Sequence, residues 1–288
     1  MLAGRRWFSD KIVLVEKVWA PMHTLSPFKR AAQSAVAGLA LLTLGLAGCS
    51  YNEELGRNQL LIGGAGSIAA QADQAWAQIK EQEKVSTDTR YTSRLNRVAP
   101  KIVRALGEDP ATWDYVVFDS DDLNAFALPG NHIGVYTGIM DIMENDAQLA
   151  AVVGHEVAHV RFNHSQERMA QSTLAQIGVL GVGAVIGATA CESDQCQQGA
   201  LTAASVGAMA LFLLPHSRSQ ELEADVGGLR LMAKAGYNPC EAIEFWQNMQ
   251  RASANQSRPP EFLSTHPGSD NRITTLRTEA QRLGYRCS

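Results

Sequence analysis

Residues 149–160 read Leu149-Ala-Ala-Val-Val-Gly-His155-Glu156-Val-Ala-His159-Val160. The two histidines are one helical turn apart, at positions that differ by about 40° around an α-helix. Both imidazoles therefore leave the same face and can bind one ion. Because the flanking residues are apolar, the helix is predicted to be half buried, where an imidazole needs a polar partner. These residues predict a buried helix that carries a metal site.

Glu156 follows the first histidine directly, where its carboxylate can reach a water bound to the ion. The pattern His-Glu-x-x-His is typical of zincins, in which Zn²⁺ lowers the pKa of that water to about 7 and the glutamate takes its proton. The same carboxyl can pass the proton to the leaving amine. The pattern also arises by chance on exposed helix faces, but the apolar flanks favour a functional site with one zinc ion per chain. Gly154 would let another segment approach this helix closely.

A third protein ligand has to come from elsewhere in the chain. The metzincin extension of the motif is missing, because Phe162 and Ser165 stand where glycine and histidine are required. On a continuous helix His164 would lie about 180° from His155, so we do not expect it to join the site. The sequence therefore requires a ligand from a separate helix, as in sites built of two histidines and a glutamate.

The best candidate lies in Ser217-Arg-Ser-Gln-Glu221-Leu-Glu223-Ala-Asp225. Glu221 and Asp225 are one turn apart and share a helix face. One carboxylate can bind the metal while the other accepts a hydrogen bond from the second N–H group of a ligand imidazole. The competing interpretation is a solvated, charged helix face. Glu223, which points about 160° away from the other two, fits that competing interpretation.

Two further motifs accompany these residues, Asn124-Ala-Phe-Ala-Leu-Pro-Gly130 and Val135-Tyr-Thr-Gly138. The combined pattern resembles the gluzincin family of HtpX-type, Oma-type and CAAX-prenyl endopeptidases over about residues 85–285. Within that family it is most similar to the periplasmic lipoprotein branch of LoiP and BepA. We do not expect the C-terminal helical repeats of BepA.

The resemblance implies a role for each residue of the motifs. Zinc would be bound by His155, His159 and Glu221, with Glu156 as the general base and Asp225 supporting a ligand histidine. An edge strand would bind an extended substrate by β-augmentation, and its residues are Asn124, Ala125, Phe126 and Ala127.

His266 lies in Ser264-Thr-His266-Pro267, and Arg272 follows it, as in the same branch. The resemblance implies that this histidine lies near the zinc. It would either stabilise the oxyanion of the reaction or cap the metal in a latent form. The competing interpretation is a loop histidine beside a proline.

The periodicity of apolar residues predicts a mainly α (α+β) fold with a small antiparallel β-sheet. The resemblance implies that this fold is a zincin-like helical metallopeptidase domain. Predicted strands cover 113–118, 124–128 and 132–136, and predicted helices cover 91–106, 145–171, 218–234, 239–254 and 269–283. We expect a signal region at 1–48, an N-terminal helical linker at 49–85 and a zinc metallopeptidase domain at 86–288.

The N-terminus has the pattern of an export signal. Lys29-Arg30 precede an apolar run at 35–46, which is shorter than the roughly 20 residues of a membrane-spanning helix. Leu46-Ala-Gly-Cys49 resembles a lipobox, which predicts acylation of Cys49. Residues 1–21 fit poorly before such a signal, so translation is expected to start at Met22. Ser50, where an aspartate is absent, resembles outer-membrane sorting and implies a position on the periplasmic face of the outer membrane. The competing interpretation is an uncleaved anchor helix. Without residues 1–48 the net charge is −8, so acyl chains rather than charge would hold the protein to a bilayer.

The remaining cysteines are Cys191, Cys196, Cys240 and Cys287. In an oxidising compartment they allow three pairings, and the sequence does not choose among them, although the first two are the easiest to join. Buried thiols are the alternative. Two apolar stretches at 174–190 and 199–214 predict a buried or membrane-leaning helical hairpin in preference to a transmembrane one.

The net charge of −4, from 25 basic and 29 acidic residues, argues against nucleic-acid binding. By resemblance, the expected function is cleavage of misfolded or stalled envelope proteins, with the outer-membrane assembly machinery as a further partner. One alternative is a chaperone or assembly factor for outer-membrane proteins with a largely latent zinc site. The other is a membrane-embedded protease in which 174–214 spans the bilayer.

Overall fold

The structure, a computed structural model, describes residues 48–62, 65–175, 214–254, 260–266 and 270–287. The signal region up to residue 47, the cysteines at 191 and 196 and nearly all of the two apolar stretches lie outside the described residues. Among the helices that are described, none combines the length and the apolar character needed to cross a membrane.

The described part of the chain begins with two short strands. Strand β1 (Cys49–Asn52) pairs with β2 (Arg57–Leu60), and helix α1 (Ala65–Gln82) follows. The segment 49–85, expected to be helical, is therefore helical only in its second part. The reason is turn chemistry: the Asn52 side chain accepts hydrogen bonds from the N–H groups of Glu54 and Leu55, and Gly56 has a positive φ of 65°.

A three-stranded sheet follows helix α2 (Thr89–Leu106), with the order β3–β5–β4. Strand β4 (Ala125–Leu128) pairs antiparallel with β5 (His132–Tyr136), through a turn in which Gly130 and Asn131 have positive φ. Strand β3 (Asp114–Phe118), however, pairs parallel with β5. The sheet is thus mixed, not antiparallel throughout, because β5 inserts between the two strands that precede it. Alternation of apolar residues predicts strands but not this order.

Helices make up most of the described structure, as the sequence predicts. After the sheet come α3 (Thr137–Asp141), α4 (Asp146–Arg161), α5 (Leu214–Lys234), α6 (Cys240–Ser253), α7 (Glu261–Thr265) and α8 (Asp270–Arg282). Their apolar faces and one face of the sheet enclose a single large cluster of buried side chains, among them Leu95, Ile102, Ile133, Leu149, Met232 and Phe245.

Helix α4 lies at the centre of this arrangement. Every residue from Gln148 to His159 is buried, and the helix contacts α2, α5, α6 and β4. The Asn145 side chain caps its N-terminus by accepting hydrogen bonds from two backbone N–H groups. The helix ends at Arg161, and the chain is helical again at 164–175. The continuous helix expected over 145–171 is therefore wrong: Asn163 has a φ of +53° and breaks it.

Helices α4 and α5 approach each other closely at two glycines. A Cβ atom on Gly154 would lie 2.9 Å from the carbonyl oxygen of Gly228, and one on Gly228 would lie 2.6 Å from the backbone nitrogen of His155. Backbone meets backbone here, so neither position has room for a side chain. The expected close approach at Gly154 is confirmed, and its partner is α5.

A disulfide joins Cys240, the first residue of α6, to Cys287 near the end of the chain. This is one of the pairings that the sequence leaves open. The two cysteines are 47 residues apart. Closing a loop of that length restricts the unfolded chain by an amount worth about 4 kcal/mol in the chain-entropy description.

The glycine contact gives a prediction about stability. Gly228→Ala should lower the free energy of unfolding by about 3 kcal/mol, because the added methyl group forces α4 and α5 apart. Gly66→Ala is the matched control, because a Cβ there meets nothing within 4 Å and should be neutral or stabilising by about 0.5–1 kcal/mol. Chemical denaturation measures both variants. Equal stability of Gly228→Ala and the parent would contradict the packing described here.

Candidate metal centre

Four buried side chains bring possible ligand atoms within 4.8 Å of one another: His155, His159, Glu221 and His266. The two histidines of α4 face each other through their Nε2 atoms at 3.1 Å. One oxygen of Glu221 lies 3.3 Å from His155 Nε2, and the other lies 3.3 Å from His159 Nε2. Glu221 reaches this position because it lies two turns before Gly228, where α5 touches α4.

His266, the residue after α7, is also part of this cluster. It is 6% exposed, and its Nδ1 lies 3.2 Å from His155 Nε2 and 3.1 Å from Glu221 Oε2. The N–H group of Phe262 in α7 donates to the carbonyl oxygen of Leu123, just before β4. The segment that carries His266 is thereby attached to the sheet.

Asp225 lies behind the first histidine of the motif. Its Oδ1 is 3.1 Å from His155 Nδ1, and Arg272 donates to both of its oxygens, from Nε at 2.7 Å and from Nη2 at 2.6 Å. Burial would raise the pKa of Asp225, but the Arg272 charge and the hydrogen bonds from Arg272 and His155 hold that pKa below its ordinary value. The aspartate is therefore an ionised acceptor that can orient the His155 ring.

Arg272 pairs with two of the buried carboxylates of the site, Asp225 and Glu221. It is 2% exposed, and its Nη1 lies 3.2 Å from Glu221 Oε2. Its guanidinium stacks over the Trp246 ring at 3.8 Å from the ring centroid, an arrangement that stabilises a buried cation. The sequence motif includes this arginine but gives no sign of its contacts, because they depend on how α8 packs against α5 and α6.

The second histidine of the motif has a buried partner that we did not expect. His164 Nδ1 lies 2.9 Å from His159 Nδ1, and His164 Nε2 lies 3.0 Å from Glu223 Oε2. His164 is not among the four clustered residues, but the helix break at Asn163 brings it against one of them. The expectation that Glu223 is solvated is wrong: its side chain is 20% exposed and forms an ion pair with Arg57 at 2.6 Å.

Glu156 points its carboxylate at the cluster without a fixed partner. The residue is 4% exposed, and its Oε1 lies 3.3 Å from His266 Nε2. Within the described residues, Oε1 accepts no hydrogen bond of acceptable geometry. A buried oxygen without a donor is costly, so its presence beside the cluster calls for a proton-bearing ligand.

The donor set suits zinc. Imidazole nitrogens and a carboxylate are ligands that zinc takes in proteins, and here they converge from α4, α5 and the end of α7. Burial lowers the pKa of His159 well below its ordinary value, which keeps the ring neutral with a lone pair to offer. The structure thus brings the residues of both sequence motifs to one site.

The strand proposed for substrate binding lies next to this site. Among the described strands, β4 has a neighbour on one side only, because it pairs with β5 and ends the sheet. Its burial alternates, with Ala125 and Ala127 buried and Phe126 partly exposed. Asn124 is buried, and its carbonyl oxygen accepts a hydrogen bond from Tyr136. Strand β4 and the metal helix α4 are in contact.

Comparison with known proteins agrees with this geometry. Peptidase family M48 matches residues 89–280. The bovine mitochondrial metalloendopeptidase OMA1 is 32% identical over 232 residues, which cover 77% of this chain and 44% of the relative. The OMA1 protein of Schizosaccharomyces pombe is 33% identical over 64% of this chain and 52% of its own length. The beta-barrel assembly-enhancing protease of Escherichia coli is 25% identical over 72% of this chain and 42% of its own length.

These alignments span about half of each relative or less. The family match covers most of the chain described here, from the start of α2 to the last helix, and includes both motifs and the four clustered residues. The chain therefore belongs to peptidase family M48, whose members are zinc metallopeptidases.

Proposed function

We propose that this chain is a zinc-dependent endopeptidase of the bacterial cell envelope that cleaves misfolded or stalled envelope and outer-membrane proteins. Family membership gives the enzyme class, zinc metalloendopeptidase. The observation that carries the mechanism is the buried Oε1 of Glu156, which accepts no hydrogen bond of acceptable geometry from the described residues, beside four converging ligand groups. Cellular location and substrate rest on the sequence patterns and on the free strand edge.

In this proposal His155, His159 and Glu221 hold the ion, and Asp225 fixes the first imidazole. When bound, zinc supplies Lewis-acid chemistry that makes a water nucleophilic near neutral pH and polarises the scissile carbonyl. Glu156 accepts the proton of the attacking water at Oε1 and delivers it to the leaving amine. Among the described residues no group donates to that oxygen with hydrogen-bond geometry, which leaves it available for this transfer.

The free edge of β4 favours the proposal that the substrate is an extended, unfolded chain. Backbone groups on a free strand edge can pair with any peptide in β conformation, so recognition depends little on sequence. Asn124, Ala125, Phe126 and Ala127 would form this binding edge. Such recognition suits misfolded proteins, because their backbone groups are not yet paired.

The lipobox pattern supports attachment through an acylated Cys49, which is exposed at the start of β1. The mature chain would then remain on the periplasmic face of the outer membrane. One relative is named for enhancing β-barrel assembly. This name supports the proposal that unfinished outer-membrane proteins are substrates and that their assembly machinery is a partner.

A largely latent chaperone or assembly factor is the second candidate, and the position of His266 favours it. The Nδ1 atom of His266 lies as close to Glu221 as the α4 imidazoles do. In that position the imidazole would itself be a ligand of the ion and would compete with the substrate for it. We therefore assign His266 as a cap in preference to an oxyanion stabiliser.

The role of Glu156 is tested by Glu156→Gln. This substitution keeps the shape of the side chain but removes its proton-accepting charge, so kcat/KM should fall by about 10²–10⁴-fold. Cleavage of an unfolded protein such as casein measures the effect, with zinc content as a control that should not change. Glu81→Gln, on the exposed face of α1, is the matched substitution and should cleave like the parent. Undiminished cleavage by Glu156→Gln would end the protease proposal.

The role of His266 is tested by His266→Ala. If the imidazole caps the site, its removal should increase the rate of casein cleavage several-fold, because the substrate no longer competes with it. Loss of cleavage would instead identify an oxyanion stabiliser, for which removal of one donor costs about 10²–10³-fold in kcat. Adding Glu156→Gln to His266→Ala should abolish the increase, and this combination excludes a contaminating protease.

A further inference from the structure

A second line of hydrogen-bonded polar groups, fully buried at His164 and partly exposed at its far end, starts at His159. The mechanism above does not use it. It begins with the contact of 2.9 Å between His159 Nδ1 and His164 Nδ1. It continues from His164 Nε2 to Glu223 Oε2 at 3.0 Å. It ends at Arg57 of β2, which donates to both Glu223 oxygens, from Nε at 2.6 Å and from Nη2 at 2.8 Å.

Donor and acceptor capacities fix the direction of every bond in this line. Arg57 can only donate, and an ionised Glu223 can only accept. The Nε2 atom of His164 must therefore carry the proton that it shares with Glu223, which leaves Nδ1 of a neutral ring as an acceptor. That acceptor requires a proton on His159 Nδ1. The lone pair of His159 is then on Nε2, the atom that faces His155 and Glu221.

We propose that Arg57, Glu223 and His164 are positioning residues that set the tautomer and the orientation of His159 for metal binding. The metal site is then completed by strand β2, only a few residues from the predicted acylation site. This inference rests on the proposed role of His159 as a zinc ligand. It adds three residues, from three separate segments, to those that determine zinc affinity.

The surroundings of the line show that β2 is held firmly in this position. Arg57 Nη1 also pairs with Glu167 at 2.6 Å, and Gln220 of α5 donates to Glu167 at 2.9 Å. Gln59 of β2 donates to the carbonyl oxygen of Phe162 at 2.6 Å, directly at the break that presents His164. Strand β2 therefore holds both the far end of the line and the turn from which the imidazole projects.

On each side of the site, a carboxylate paired with an arginine holds one histidine of α4. On one side a carboxylate, Asp225, contacts His155 directly, and Arg272 clamps the carboxylate. On the other side an imidazole stands between His159 and the carboxylate of Glu223, and Arg57 is the clamp. If His164 only filled space, an apolar side chain of similar volume could replace it. If it transmits a line of hydrogen bonds, it needs both its acceptor nitrogen and its donor nitrogen.

The test is the zinc affinity of the purified chain, measured by competition with a chromogenic chelator. His164→Leu keeps much of the volume but neither accepts nor donates, and it should weaken zinc binding by about 10–100-fold, the usual loss when the partner of a ligand histidine is removed. His164→Gln retains an acceptor and a donor in one amide and should stay within about threefold of the parent. Arg57→Ala should weaken binding by about tenfold.

Arg161→Ala is the matched control. Arg161 also links α4 to the N-terminal segment, through Glu54 at 3.2 Å, but both side chains are about half exposed and neither contacts the site. Its removal should leave zinc affinity unchanged. A fall equal to that of Arg57→Ala would overturn the proposal, because loosening the N-terminal segment alone would then explain the loss.

Other outcomes are also decisive. A His164→Leu variant that folds and binds zinc like the parent overturns the proposal, as does a His164→Gln variant as weak as His164→Leu. If His164→Leu does not fold, the comparison of zinc affinity between Arg57→Ala and Arg161→Ala decides. A parent that binds no zinc would defeat the proposed function itself, whereas a parent that binds zinc with no change in the variants would defeat only this inference.

Discussion

The site depends on the contact of two helix backbones at Gly154 and Gly228. A methyl group at either glycine would overlap with backbone atoms of the other helix. Only at this separation does Glu221, two turns earlier on α5, bring its two oxygens within 3.3 Å of two imidazoles on α4. The glycines carry no chemistry themselves, but they set the distance between the groups that do.

Such a contact buries charge, and the fold must compensate for it. Removing a charge from water costs several kcal/mol even after relaxation, and Glu156, Glu221 and Asp225 are all less than 5% exposed. Arg272 serves two of them at once and stacks on Trp246. Because a buried ion pair gives little net stability, we interpret this arrangement as positioning the ligands rather than strengthening the fold.

The sequence was sufficient to identify the site residues that helical periodicity places on one face of a helix. His155 and His159 share one face of a predicted helix, and Glu221 and Asp225 share one face of a second predicted helix. Their spacing alone therefore indicates that each pair acts at one site. The mainly helical fold and the three strands of the larger sheet were equally accessible, whereas β1 and β2 were not. The expected family is confirmed. The roles of the individual site residues remain proposals.

What the sequence did not give depends on contacts between distant segments. On one continuous helix over 145–171 His164 would point away from His155, but Asn163 breaks that helix with a positive φ. Helical spacing places Glu223 in solvent, but Arg57, 166 residues away in the sequence, pairs with it in the fold. The parallel pairing of β3 with β5 was missed for the same reason, since it depends on where a later strand inserts.

The central claim is that a carboxylate from α5 joins the two imidazoles of α4 around one ion. It is tested most directly by zinc content after extensive dialysis, in His266→Ala and in His266→Ala combined with Glu221→Ala. Both variants lack His266, so its imidazole cannot replace Glu221 as a ligand of the ion. We expect about one zinc per chain in the single variant and little zinc in the double variant. Equal zinc in both would contradict it.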